Sequence, residues 1–414
     1  MARLQPVRGT HDLLPEQMRR HRHIVDVARD MVRLYGFEEI ATPIFEFTQV
    51  FARTLGDTSD IVTKEMYSFE DRNGDRLTLR PENTAGVARC FISEGLAQQT
   101  PLKFFYSGPM FRRERPQKGR LRQFHQIGIE LIGVATPAAD VDVIAAGTRL
   151  LSALGLADKV TLELNTLGDS VSREAFRAAL VSYLTPHRDA LSEDSRDRLE
   201  RNPLRILDSK HEGDREIISN APVFSEFLTE ESHAFFEDVK EGLQRVGISF
   251  ELNPMLVRGL DYYGHTAFEF TTTELGAQGT VLAGGRYDGL IKLMGGPDTP
   301  GVGWAAGIER LAMLVADEET PQPIIAVVPV GELAVQKAHQ LAESLRGAGY
   351  AVDVGYSGNL SRRMKRADKM RASAALILGE DEMERGVAQV RNMKTGEQSE
   401  IALDDLTNGL AQYR

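Results

Sequence analysis

A chain of 414 residues exceeds the usual length of one domain, so two compact units with a third inserted are expected and a miniprotein is excluded. Apolar residues at 42% and charged residues at 26% leave no case for disorder, and no apolar run approaches the roughly 18 residues a membrane helix needs. The formal charge of -11 argues against a general nucleic-acid binder, yet two stretches run the other way. Residues 111–122 (FRRERPQKGRLR) carry six Arg or Lys against one Glu, and residues 362–371 (RRMKRADKMR) six against one Asp. At +5 each they leave -21 on the rest, which points to two sites for polyanions far apart in sequence. The single cysteine, Cys90, rules out an internal disulfide and any zinc cage of two or more thiolates, and no metal site is expected. With no apolar signal core at the amino terminus, the cytoplasm is the expected compartment.

In chain order, Val25, Ala28, Met31, Val32 and Tyr35 follow helical spacing, and Gly36 is a stop. GFEEIATPIFEF reads as extended, with Pro43 at an edge or an interface. MYSFE and RLTLR alternate on either side of Asn73-Gly74, a hairpin signal. Residues 102–107 and 127–132 read as antiparallel strands, which places the first basic stretch in the loop between them. After the strand VTLELN, residues 169–248 turn helical and acidic, an inserted unit. Strand patterns resume at ISFELN, TAFEFTT and VLAGG, followed by a helix in GIERLAMLV. Past Thr320, Pro-Gln-Pro marks a linker, and alternating strands and helices over 321–414 predict a small α/β domain whose second helix carries the second basic stretch.

Several groupings are chemically suggestive. In TLRPENTAG, Glu82 and Thr84 follow a strand where a helix begins; a carboxylate and a hydroxyl there suit an ammonium group, or simply a helix start with an acidic first turn. Arg112 and Glu114 alternate at a strand end, Arg120 lies in the loop, and Phe124, Gln126 and Glu130 alternate on the returning strand. Arginine forks suit phosphate, an aromatic face suits a purine, and a glutamate accepts from an exocyclic amine, so the stretch outlines an ATP pocket, the alternative being a salt-bridged hairpin. His125 points to the other face, a structural place. LVRGLDYYGH supplies Arg258, Tyr262 and Tyr263 at a glycine-lined turn, and VLAGGRYDGL supplies Arg286 and Tyr287. Gly301-Val302-Gly303-Trp304-Ala305-Ala306 fits the dinucleotide fingerprint, but KLMGGPDTP before it cannot be the strand that fingerprint demands. The glycines are instead expected to let a strand pack closely on the helix that holds Arg310.

Taken together, these stretches resemble the bacterial histidyl-tRNA synthetases, class II aminoacyl-tRNA synthetases, over essentially the whole chain. GFEEIATPIFE resembles class II motif 1 with Pro43 at a dimer interface, FRRERPQKGRLRQFHQIGIE resembles motif 2, and GVGWAAGIERL resembles motif 3. LVRGLDYY and AGGRYDGL resemble the two histidine-specific signatures. The resemblance implies an α+β fold: a class II antiparallel sheet with flanking helices over 1–320, a helical insertion at about 169–248, and an α/β anticodon-binding domain over 321–414. It implies activation of L-histidine with ATP and Mg2+, then transfer to tRNA(His), in a cytoplasmic homodimer. By matching position, Glu82, Thr84, Gln126, Glu130, Tyr262 and Tyr263 would hold histidine. Arg112, Glu114, Arg120, Phe124 and Arg310 would hold ATP, with Arg258 and Arg112 at the α-phosphate. Gln117 and Lys118 would face the tRNA acceptor end, and Arg362, Arg363, Lys365 and Arg366 the anticodon region. Asn83 stands where many relatives have glycine, Trp304 where phenylalanine is common, and Gly264-His265 follows the tyrosines. A second reading keeps the fold without catalysis, as a histidine-sensing regulatory paralogue that partners an ATP phosphoribosyltransferase; such paralogues typically lack the C-terminal domain and the catalytic arginine, and this chain has both.

Overall fold

The computed structural model describes residues 3–55, 65–117, 119–209, 211–257, 262–276, 279–316 and 323–414. The chain divides into two compact units, Met1–Asp317 and Glu318–Arg414.

The larger unit opens with the helix Pro15–Arg33, which begins well before the first apolar repeat. Pro15 takes the first helical position, where a missing N–H costs nothing, and Gln17 Oε1 accepts from the Leu14 N–H at 3.1 Å. Ile24, Ala28 and Val32 face the core, and the chain leaves through Gly36 at φ +79. An eight-stranded sheet follows, in the order Glu38–Glu39, Leu102–Phe111, Gln123–Ile132, Gly301–Gly307, Thr280–Arg286, Gly264–Thr271, Thr161–Thr166 and Glu251–Leu252. Its six central strands are antiparallel, and the two short outer ones pair in parallel.

The two faces of this sheet are built differently. Ile127, Ile129, Leu131, Trp304 and Phe268 alternate onto a face that packs against helices Pro15–Arg33 and Pro137–Ala153 in the main core. The opposite face carries Gly128, Gly285, Gly301 and Gly303, whose missing side chains leave room that other side chains fill. Gly301–Gly307 is therefore itself a strand, which excludes a dinucleotide loop. The glycines make room not for the helix, as expected, but for side chains: a Cβ on Gly303 would collide with the Glu130 carboxylate, and one on Gly301 with the Tyr287 ring.

A small sheet orders Phe45–Phe47, Arg76–Leu79 and Tyr67–Glu70. Its hairpin closes through Asp71–Asp75, with Asp71 Oδ1 accepting from the Asn73 and Asp75 N–H groups and Gly74 at φ +87. Its polarity is inverted: Thr78 is buried, bonded to Ser68 and Thr48, while Phe45, Phe47 and Phe69 stand about half exposed on the outer face.

Helices Ser170–Leu184, Glu193–Arg201 and Glu212–Ile218 share a separate core around Phe176, Leu180, Leu184 and Phe224, whereas Glu230–Arg245 sends Phe236, Val239 and Leu243 into the main core. The separate core is pinned by Asp214, whose buried carboxylate accepts from the Ser192 N–H and the hydroxyls of Ser192, Ser195 and Ser209 at 2.6–2.7 Å. Burial alone would push its pKa up, but these donors favour the anion and hold it down at about 2.

In the smaller unit a five-stranded sheet runs Ala351–Val354, Ile324–Pro329, Ala374–Leu378, Val387–Asn392 and Gln398–Ala402. The first three strands are parallel, connected by helices Glu332–Gly347 and Leu360–Lys369, and an antiparallel hairpin completes the sheet. Among the described residues, no helix is long and apolar enough to cross a membrane.

Asp214→Ala would strand several buried donors and is expected to destabilise the inserted unit by about 2 kcal/mol or more; hydrogen exchange over residues 170–224 reads this. The stabilisation conferred by Asp214 is present above the ordinary aspartate pKa of 3.8 and lost as pH falls towards about 2.

Candidate active site

The glycine-bearing face of the sheet borders a cleft of about 350 Å³ with chemically distinct ends. One end gathers arginines. Arg112 lies one residue past the strand Leu102–Phe111, so it and Glu114 belong to the loop rather than to a strand end as expected; both still face the cleft. Arg112 Nε donates to the Pro81 carbonyl at 2.9 Å, and its guanidinium lies over the Phe124 ring, 5.2 Å from the centroid. The Glu114 carboxylate sits 2.5 Å from Arg120 Nε and 3.9 Å from Arg112 Nη1. Arg310, at the start of helix Ile308–Leu314, ties the loop down by donating from Nε to the Gly119 carbonyl at 3.1 Å and from Nη1 to the Thr280 carbonyl at 2.6 Å. Burial pushes the Arg310 pKa down, and the neighbouring Arg120 and Arg112 push the same way. Three guanidinium groups, with the Glu114 and Glu269 carboxylates on the same wall, form a site suited to an anion. Gln117 is exposed at the loop tip, its backbone bridged to Arg120.

The other end is closed and surrounds Glu130, which is only 1% exposed and lies beneath the cleft wall. Glu130 Oε1 accepts from the Thr84 hydroxyl and Oε2 from the Tyr287 hydroxyl, each at 2.6 Å. Desolvation overrides both hydrogen bonds and pushes the Glu130 pKa up to about 8. Glu82 proves to be a helix cap as well as a wall residue: its carboxylate accepts from the Thr84 N–H at 2.6 Å and the Ala85 N–H at 3.0 Å, and burial still pushes its pKa up. The Tyr262 and Tyr263 rings meet tilted by 40°, their centroids 4.6 Å apart, and line this end with Gln126. Gln126 Oε1 and the Tyr106 hydroxyl are buried here with no hydrogen-bond partner among the described residues.

Two of the expected site residues, Arg258 and Lys118, lie outside the described residues. The sequence reading passed over Tyr106, Glu269 and Glu309 on the cleft wall, and it gave Tyr287 no role. The alternation in LKFFYS held the signal for Tyr106. His125 is structural, as its face implied: its backbone N–H and its Nδ1 both meet the Glu309 carboxylate, at 2.8–3.0 Å, and His21 packs edge-on to its ring at 4.6 Å. These three side chains bring possible metal-ligating atoms within 4.8 Å of one another, but two N–H donors already occupy the Glu309 oxygens. Trp304 is turned to the core, its Nε1 donating to the Val143 carbonyl at 2.9 Å, so it does not shape the cleft.

In the smaller unit, Arg362 and Lys365 are exposed on the helix Leu360–Lys369. Arg366 is engaged by Asp353 at 2.9 and 3.0 Å, and Arg363 donates to the Pro329 carbonyl. The charge presented outward there is smaller than the sequence count.

The profile of the family described as histidyl-tRNA synthetase matches residues 9–311, and that of an anticodon binding domain matches residues 325–413. The chain belongs to the histidyl-tRNA synthetase family. A histidine–tRNA ligase of Rhodospirillum rubrum is 63% identical over 415 aligned residues, covering 100% of each chain. The crystal structure of apo Staphylococcus aureus histidyl-tRNA synthetase superposes with a TM-score of 0.82 at 35% identity, covering 98% of this chain and 99% of that one. A Bacillus halodurans structure described as an ATP phosphoribosyltransferase regulatory subunit/histidyl-tRNA synthetase reaches a TM-score of 0.65 at 23% identity over 91% of this chain and 98% of that one, a likeness of fold alone. Nothing in these comparisons favours the regulatory reading.

The buried acid of this synthetase carries a stability signature. Folded, Glu130 keeps its proton up to about pH 8, whereas the unfolded chain releases it above about 4.5, so the group lowers stability progressively as pH rises between those values. Glu130→Gln is expected to flatten that decline and to gain most at pH 8 and above; thermal melts of both proteins from pH 5 to 9 measure it.

Proposed function

We propose that the closed end of the cleft takes L-histidine and the arginine end takes ATP with its Mg2+, the two meeting at Arg112. Membership of the family makes the chain an ATP-dependent histidine–tRNA ligase. The histidine carboxylate attacks the α-phosphorus of ATP, pyrophosphate leaves, and the histidyl group then passes to a ribose hydroxyl at the 3′ end of tRNA(His). One observation carries the assignment of ends: Arg112, Arg120 and Arg310 converge at one end, while the other closes over a carboxyl group held by two hydroxyls.

In this reading Arg112, anchored one residue before Glu82 through the Pro81 carbonyl, stabilises the charge that develops on the α-phosphoryl group, with Arg258 as its partner. Glu114 accepts from the adenine amine beside Phe124, and Arg120 and Arg310 meet the outer phosphates. Gln126, Tyr262, Tyr263 and Glu82 line the histidine. Thr84 and Tyr287 act through Glu130, which presents a carboxyl group to an imidazole nitrogen. A pocket that pairs buried polar groups with a substrate nitrogen rejects analogues lacking it by about 10^4 or more. Gln117 and Lys118 face the tRNA acceptor end, and Arg362 and Lys365, with Arg363 and Arg366 behind them, face the anticodon region.

The chain acts as a homodimer in the cytoplasm. Support for the dimer comes from the inverted small sheet beside Pro43, where Leu79 pairs with Phe45 on one side and Tyr67 on the other, and Leu77 likewise with Phe47 and Phe69, in two apolar rows on its outer face. The lone cysteine suits a reducing compartment.

Pyrophosphate exchange with each of the twenty amino acids should respond to histidine alone, and Arg112→Ala should lower that exchange about 10^2- to 10^3-fold with little change in Tm. Exchange driven equally by a second amino acid, or a near-normal rate in the variant, would refute the assignment. Phe45→Asp combined with Phe47→Asp is expected to shift the protein from dimer to monomer in light-scattering measurements.

A further inference from the structure

The turn that presents Glu82 and Thr84 contains a side chain with no role so far. Asn83 is 1% exposed and occupies the N-cap position of the helix Thr84–Ser93, yet it makes no capping hydrogen bond. An asparagine at an N-cap ordinarily accepts from the first backbone N–H groups of its helix. Here the Glu82 carboxylate has taken the N–H groups of Thr84 and Ala85, which releases Asn83 to turn the other way. Its Oδ1 accepts from the Thr42 hydroxyl at 2.6 Å and from Arg80 Nη1 at 3.2 Å. The same Arg80 nitrogen donates to the Thr42 carbonyl and hydroxyl, both at 3.0 Å, and Arg80 Nε donates to the Pro109 carbonyl at 2.9 Å. The buried guanidinium thus joins three segments: Thr42 just before Pro43, the Glu82–Thr84 turn, and the strand Leu102–Phe111. Gly86 keeps the space beside this junction open, since a Cβ there would lie 3.2 Å from both Asn83 Oδ1 and Thr42 Oγ1.

We propose that Asn83 is a positioning residue for histidine recognition, its side-chain oxygen bracing the Glu82–Thr84 turn against Thr42. Glu82 and Thr84 flank it directly, and Thr84 in turn holds Glu130, so rotation of the turn would misalign every carboxyl group at the closed end. A glycine at this position supplies neither the acceptor nor the backbone restraint. The inference rests on the assignment of that end to histidine.

Steady-state pyrophosphate exchange on the full-length protein tests it, with Tm recorded for each variant. Asn83→Gly should raise the histidine KM about three- to tenfold, the range set by one lost hydrogen bond, while the ATP KM and kcat stay within about twofold. Asn83→Asp, which keeps the acceptor, should restore the histidine KM. Thr42→Val should raise it by a similar factor, and combining it with Asn83→Gly should add little, because both remove the same contact. An unchanged histidine KM, or a rise in the ATP KM in parallel, overturns the bracing role. Thr84→Val separates the two ideas: if its histidine KM rises while that of Asn83→Gly does not, only the brace fails, and if it stays flat the pocket assignment fails and takes the brace with it.

Discussion

A carboxyl group with no access to water organises the larger unit. Glu130 sits on a central strand of the sheet, and burying it requires that its oxygens find donors and that the adjacent strand withdraw its side chain. The hydroxyls of Thr84 and Tyr287 meet the first requirement, and Gly303, directly opposite in register, meets the second. Those partners come from the helix start at residue 84, the turn after the strand Thr280–Arg286, and the strand Gly301–Gly307. One buried acid therefore brings three distant stretches of sequence into register. Its raised pKa is the electrostatic consequence, because desolvation outweighs the two hydroxyl dipoles that meet it.

The opposite end of the cleft is governed by repulsion. Arg112 and Arg120 flank the carboxylate of Glu114, and Arg112 and Arg310 also donate to backbone carbonyls of Pro81, Gly119 and Thr280. Carbonyl partners orient a guanidinium without neutralising it, which keeps positive potential at this end of the cleft. In the smaller unit the opposite choice is made at Arg366, whose fork is closed on Asp353. Counting basic residues thus overstates what each stretch offers; the partner of each cation decides its availability.

Much of the site was legible because it lies on strands, where alternation assigns faces. Phe124 and Gln126 were placed on one side and His125 on the other from spacing alone, and the structure keeps that division. The parts that were misjudged lie where backbone hydrogen bonding overrides pattern. Arg112 and Glu114 sit beyond the strand end, and Glu82 combines helix capping with a place on the cleft wall. The glycines of Gly301–Gly307 were correctly denied a nucleotide-loop role, but their purpose depends on which residues stand across the strand, and that register cannot be read from a single segment. Tyr287 was missed for the same reason: its partner lies 157 residues away. The early start of the first helix was hidden because its first two turns are exposed and polar, so proline and a glutamine contact mark the boundary in place of apolar periodicity.

The crowding at Gly303 and Gly301 limits how this enzyme can be redesigned. Even a methyl group at either position would strike the Glu130 carboxylate or the Tyr287 ring, so the floor of the closed end is already full. Any added volume at the closed end must be carved from the tyrosine and glutamine walls, where side chains rather than backbone define the boundary.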